Sequence, residues 1–178
     1  CIFIHIPKSA GSSLHSIFND QCSNHLRYKS NERTKNYFKF TFVRNPFDRF
    51  VSTYFYFKGY GRDGKGDTRM GEVVNRFNSF RDFVINFKKI PKTVWCYPHW
   101  NEQMYWISED FDFIGRYENL QQDFDTICDK IGIARQQLPH KNASNHKHYT
   151  EYYDEETKQI VAEKYAKDIE YFGYKFGE

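Results

Sequence analysis

Residues 1–18 read CIFIHIPKSAGSSLHSIF, and the order of residue types in this stretch decides the fold. Cys1–Ile6 is a short β-branched and aromatic run closed by Pro7, the pattern of a buried strand. Lys8-Ser9-Ala10-Gly11-Ser12-Ser13 follows, and then Leu14, Ile17 and Phe18 at i, i+3 and i+4, the apolar stripe of an amphipathic helix. Strand, small-residue turn and helix form the start of an α/β unit. The arrangement recurs at Tyr37–Val43 (YFKFTFV), where Arg44-Asn45-Pro46 ends a strand and opens a helix. Asn45 is placed there as N-cap and Pro46 as the first helical residue. That helix is expected to bury Phe47, Phe50, Val51 and Tyr54.

Further along, FDFIG at 111–115 reads as a third buried strand. Helices are expected around 79–88, 118–131 and 154–169, the last with Val161, Tyr165 and Ile169 on one side. KGYGRDGKGDTRMG, at 58–71, has five glycines and no periodicity and reads as a surface loop. The segment 139–149 is polar and irregular. There is no linker, low-complexity tract or repeat beyond the two strand–turn–helix units, so a single domain over 1–178 is expected.

Composition bounds what such a domain can be. Phe, Ile, Val and Leu make up about a quarter of the chain, above the range of disordered sequences. A core is therefore expected despite a mean hydropathy of −0.83. Aromatic residues supply 20% of the chain out of 39% hydrophobic, while Leu is scarce. The net charge of +3 excludes a generic polycation and gives no reason to expect nucleic acid as a partner, yet leaves room for a local anion site. No apolar run approaches the roughly 18 residues of a membrane span. Cys1, Cys22, Cys96 and Cys128 form no close pair, which indicates neither a zinc ribbon nor a disulfide framework. The chain begins without Met inside a strand-like run, so a preceding segment, a targeting one included, is expected.

The two turns carry the chemistry. Small residues at 9–13 let backbone N–H groups approach a phosphate or sulfate at a helix start. Lys8 adds a point charge, and the Ser12 and Ser13 hydroxyls add donors. The common G-x-x-x-x-G-K-[ST] phosphate loop is absent, because Lys8 precedes Gly11. Arg44 stands at the carboxyl end of a strand, the edge where open α/β sheets bind ligands. Ser52, eight residues later, is expected to face outward from the helix on the side of Arg44. Two such turns suggest a ligand with two separated anionic groups.

IFIHIPKSAGSSL and FKFTFVRNPFDRFVSTYFYF resemble the 5′-phosphosulfate and 3′-phosphate loops of sulfotransferases that use 3′-phosphoadenosine 5′-phosphosulfate (PAPS). The resemblance is to the branch with Golgi carbohydrate enzymes and small bacterial relatives. FDFIGRYENLQQDF and the tail from His148 extend it over essentially the whole chain. It implies a P-loop NTPase-like three-layer α/β fold, with a central, mainly parallel sheet flanked by helices. It further implies that Lys8 contacts the leaving phosphate, and that Ser9, Ala10, Gly11, Ser12 and Ser13 hold the 5′-phosphosulfate. Arg44 and Ser52 would take the 3′-phosphate, and Lys147 would close over the nucleotide. No metal is implied. The acceptor would be a hydroxyl, on a carbohydrate by this branch. The compartment would be cytoplasm for a bacterial or phage protein and Golgi lumen for a eukaryotic fragment.

The base for the acceptor proton stays open among His25, His99 and a carboxylate such as Glu102. His5, alternating with apolar strand residues, reads as structural. Trp95, Trp100, Tyr105 and Trp106 suit either a sugar platform or the core. Arg62, Lys65 and Arg69 suit either an acidic glycan or a solvated loop. Asn142-Ala143-Ser144 is a glycosylation sequon by pattern alone. Two rival functions are a kinase-like phosphotransferase, disfavoured by the missing Gly-Lys-Ser/Thr element, and a non-enzymatic polyanion- or glycan-binding module.

Overall fold

Four strands, β1 (Ile2–Ile4), β2 (Cys22–Ser23), β3 (Lys39–Val43) and β4 (Phe113–Arg116), pair in the order β2-β1-β3-β4, and every pairing is parallel. They belong to a computed structural model that describes residues 1–18, 22–23, 32–59, 68–91, 97–107, 111–139 and 146–178. The chain divides into two compact units, Cys1–Arg44 with Gln103–Ala143, and Asn45–Glu102 with Ser144–Glu178.

The first unit is the α/β part expected from the sequence. Parallel strands are covered on both faces, which explains why β3, KFTFV, is buried at every position. Register places Phe3 beside Phe40, and Phe40 beside Phe113. This aromatic row packs with Leu14 and Phe18 of α1 (Gly11–Phe18) and with Phe124, Ile127 and Cys128 of the helix Leu120–Ile131. Polar residues inside the sheet are bonded. Thr41 Oγ1 donates to Ile4 O at 2.8 Å, and buried Lys39 gives its ammonium to Lys35 O at 3.0 Å. Cys128 is a buried free thiol.

The second unit is helical. α2 (Pro46–Gly59) starts as the sequence predicts, with Asn45 Oδ1 accepting from Phe47 N at 3.1 Å. α3 (Thr68–Asn75), α4 (Phe80–Asn86), and the helices Glu155–Lys164 and Ala166–Phe172 complete it. Its core is a cluster of rings. Phe50 lies 5.0 Å from Trp100 and 5.4 Å from Phe87 between centroids, and Phe83 lies 5.3 Å from Trp100. Much of the aromatic surplus of the composition is spent here, in edge and tilted contacts.

Several expected bounds shift for identifiable reasons. The single helix over 154–169 is two, because Tyr165 leaves helical geometry at φ −110°, ψ 25°. Its hydroxyl is fully buried and donates to Trp100 O at 3.0 Å, a tertiary bond that outweighs helical continuity at one residue. The expected loop at 58–71 overlaps α2 at one end and α3 at the other; 60–67 lie outside the described residues. The third strand begins two residues later, after Asp112 has taken Lys39 N on its carboxylate at 2.7 Å.

Gly115 on β4 pairs with Phe42 on β3, and a Cβ at Gly115 would stand 2.5 Å from the Phe42 ring. Glycine is needed here for close approach. Gly115→Ala is expected to lower the free energy of unfolding by about 1–3 kcal/mol. A urea titration reads this directly, and an unchanged midpoint would show that the ring yields without cost.

Candidate active site

The turn after β1 is unusual in its backbone. Lys8 and Ala10 both hold positive φ, at 68° and 65°, where side-chain-bearing residues rarely sit. Positive φ at Lys8 and Ala10, and not at Ser9 between them, is compatible with a backbone that curls successive N–H groups toward one concavity, as in an anion nest. α1 begins at the next residue, and Ser13 N and Leu14 N both donate to Ala10 O, at 3.0 and 3.3 Å. Ahead of Ser13, Gly11 and Ser12 open the helix, where the first N–H groups have no intrahelical acceptor. Ser12 is exposed, Ser13 and Ser9 are buried, and Ala10 is partly covered.

Gly11 meets a constraint beyond the close backbone approach that its sequence context suggests. Its own φ is not positive; a Cβ there would fall within 1.7 Å of His5 Nε2. The imidazole of His5 therefore fills the space beneath the turn. His5 Nδ1 is 3.1 Å from His15 Nε2, and the His5 ring stacks on Phe3 with centroids 5.9 Å apart. The structural reading of His5 fits, in a specific place: it floors the first turn.

Arg44 follows the last residue of β3. Its Nη1 donates to Lys8 O at 3.2 Å, and its guanidinium lies over the Tyr117 ring, 4.0 Å from the centroid. Its backbone is held at both polar atoms by one side chain. Arg44 N donates to Gln103 Oε1 at 2.9 Å, and Gln103 Nε2 donates to Arg44 O at 2.9 Å. Ser9 Oγ donates to the same Oε1 at 3.3 Å. Gln103 and Tyr117 are not among the residues that the sequence singles out. Gln103 sits in PHWNEQ, a stretch whose sequence signal lies in His99, Trp100 and Glu102, and no spacing links it to Arg44 or Ser9.

Lys8 is partly buried. Desolvation, and then the charge of Arg44, bring its pKa from 10.5 down to about 8. Both causes disfavour the ammonium, so any anion entering the turn would push the value back up.

Apart from Tyr105 and Trp106 in the first unit, the remaining candidates lie in the second unit or outside the described residues. Ser52 is 2% exposed, which corrects the expectation that it faces outward. The reason is that α2 is buried on more than one side: Arg49, Phe50, Val51, Ser52, Thr53 and Tyr54 are all covered. His99 is buried and stacks on Tyr56 at 5.5 Å and on Tyr97 at 5.3 Å. Its carbonyl accepts from Arg49 Nη2 at 3.2 Å, and Asn101 O accepts from the same nitrogen at 2.9 Å. A buried arginine thus sets the path of the histidine-bearing segment, a role the sequence did not announce. Lys147 is exposed, with its ammonium 3.1 Å from Glu151 and its backbone N donating to the Tyr152 hydroxyl at 3.0 Å. Trp100 and Trp106 are core residues, whereas Tyr105 is 49% exposed. His25, Arg62, Lys65, Trp95 and the sequon at 142–144 lie outside the described residues.

The lowered Lys8 value has a signed consequence for stability. The unfolded chain binds the Lys8 proton up to about pH 10.5 while the folded chain releases it near 8, so folding is favoured as pH rises through that window. The contribution is present above 10.5 and lost as pH falls through 8. The unfolding free energy of the wild type minus that of Lys8→Met should therefore rise between pH 8 and 10 in paired urea titrations. A flat difference would mean that Lys8 titrates as an ordinary lysine.

A sequence profile described as the sulfotransferase family matches residues 1–175. A protein of Archaeoglobus fulgidus, described as uncharacterized, is 32% identical over 106 residues, 56% of this chain and 72% of that one. Mouse carbohydrate sulfotransferase 11 is 31% identical over 130 residues, which cover 58% of this chain and 35% of the mouse protein. The chain thus spans about a third of the length of its mouse relative. No solved structure gives a significant match. With the family pattern running through both turns and on to residue 175, the chain belongs to the sulfotransferase family.

Proposed function

We propose that this chain transfers a sulfuryl group from PAPS to a hydroxyl of a carbohydrate acceptor, with residues 1–178 acting as one sulfotransferase domain. The observation that carries the reading is the contact between the two turns. The Arg44 guanidinium reaches the Lys8 carbonyl at 3.2 Å, in a turn whose backbone is left-handed at Lys8 and Ala10. Two cations and a nest of N–H groups at the carboxyl ends of adjacent parallel strands suit a ligand carrying two anionic groups. PAPS has that character, with a 5′-phosphosulfate and a 3′-phosphate on one nucleoside.

When bound, PAPS supplies the sulfuryl group and a phosphate leaving group. In the proposed assignment the backbone from Ser9 to Ser13, with the Ser12 and Ser13 hydroxyls, holds the 5′ end. Lys8 meets the negative charge that develops on the leaving oxygen. A value of about 8 leaves Lys8 mostly protonated at neutral pH and within reach of proton donation. Charge stabilisation comes from these groups, so the proposal calls for no metal. Arg44 takes the 3′-phosphate, with Ser52 and Lys147 as further proposed contacts. The acceptor proton goes to His25 or His99; the buried, ring-stacked setting of His99 favours a fixed rather than a mobile base. Carbohydrate as acceptor is supported by the name of the mouse relative and by the exposed Tyr105 ring, which suits a sugar face.

Calorimetry with adenosine 3′,5′-bisphosphate should show binding, with proton uptake near pH 8 as the anion restores the Lys8 charge. Lys8→Ala should lower sulfuryl transfer by about 10²–10³-fold while leaving the circular dichroism spectrum unchanged. Absence of nucleotide binding by the wild type overturns the donor assignment. Full activity in Lys8→Ala removes Lys8 from the mechanism.

A further inference from the structure

We propose that Gln103 is a positioning residue that couples the two anion turns, so that the affinity gained from a second anionic group on one ligand depends on its amide. The inference rests on the two-anion donor reading above. It starts from where β3 ends. Among the described residues the β3–β4 register ends at Val43, and the next residue, Arg44, is buried, so its N–H and C=O call for partners from elsewhere. Gln103 supplies both with one side chain, accepting from Arg44 N and donating to Arg44 O, each at 2.9 Å. In effect the amide extends the ladder by one residue.

The same Oε1 takes the Ser9 hydroxyl at 3.3 Å, in the turn after β1. One fully buried amide, 0% exposed, therefore ties residue 9 to residue 44, from a position 94 and 59 residues away in sequence. The guanidinium of Arg44 is constrained from its other end by Tyr117 and by the Lys8 carbonyl. With backbone and head group both fixed, the spacing between the Lys8 turn and the Arg44 cation is set before a ligand arrives. A ligand with two anions then pays little ordering entropy for its second contact. Loosening Gln103 frees Arg44 to move relative to the turn; two bonds of 2.9 Å go to Arg44 and one of 3.3 Å to Ser9, so most of that cost falls on the second contact.

The geometry also explains the residue type. Asparagine carries the same amide on a side chain one methylene shorter, and methionine fills a similar volume without a polar atom. Either substitution should leave the two Arg44 backbone groups short of partners.

The test compares adenosine 3′,5′-bisphosphate with adenosine 5′-monophosphate by calorimetry, in the wild type, Gln103→Met and Gln103→Asn. The ratio of the two affinities measures the gain from the second phosphate. That ratio is expected to fall about tenfold in either variant, with monophosphate affinity changed by less than about threefold. Two variants are used because a buried methionine could prevent folding; whichever gives a cooperative thermal melt decides the question. Equal weakening of both nucleotides, or an unchanged ratio, overturns the coupling role and reduces Gln103 to a stability residue. A wild type that binds neither nucleotide overturns the donor reading itself. A wild type that binds both, with variants of unchanged ratio, sinks this inference alone.

Discussion

Two side-chain-bearing residues held left-handed within three positions is the constraint on which the first unit is organised. Lys8 and Ala10 each carry a backbone cost of order 1 kcal/mol or more that glycine would not. Such a turn persists only where its surroundings leave no cheaper conformation. On one side β1 is paired with β2 and β3, which fixes where the chain enters. On the other, α1 buries Leu14 and Phe18 against the aromatic row of the sheet, which fixes where the chain leaves. Between them, His5 occupies the volume under Gly11, and the buried Ser9 hydroxyl is held by Gln103. The left-handed pair is what remains when entry, exit, floor and wall are set.

This view separates roles that a motif merges. Gly11 is not there for a positive φ; Ala10 takes that conformation, and Gly11 is required by the ring beneath it. A substitution at either position would be felt at the same turn for unrelated reasons, backbone strain at one and steric exclusion at the other. His5 was legible as a structural residue from its alternation with apolar neighbours. Its contact with Gly11, six residues later, was not, because nothing local says that the chain folds back over it.

What the sequence conveyed follows from which interactions are local. β1, α1, β3 and α2 were readable because strand runs, the Leu14, Ile17 and Phe18 stripe, and the Asn45–Pro46 cap are encoded within a few residues. Lys8 and Arg44 were readable because each stands in a turn between a strand run and a helix. Gln103, Tyr117 and Arg49 were not. Each acts on backbone or rings brought near by tertiary structure: Gln103 on Arg44 across 59 residues, and Arg49 on Asn101 across 52. The break at Tyr165 has the same origin, since a hydroxyl bonded to Trp100 O overrides a helical pattern that runs on through Ile169. Ser52 shows the converse error. Angular position on a helix predicts exposure only where one face is solvated, and α2 is covered on more than one.

Charge placement completes the physical picture. A net charge of +3 is unremarkable, yet Arg44 is among the groups that depress the Lys8 ammonium. Like charges normally relax apart, and here the relaxation is blocked. The Arg44 backbone is clamped, its guanidinium is held over Tyr117 and on the Lys8 carbonyl, and the Lys8 backbone is locked in its turn. The fold thus accepts a destabilising pair of cations at the sheet edge, and the cost is relieved when an anion restores full charge to Lys8. Relief of the repulsion between Lys8 and Arg44 would add to the affinity for an anion. On the proposed function, a pair of cations held in this way favours a ligand that meets them with two anionic groups.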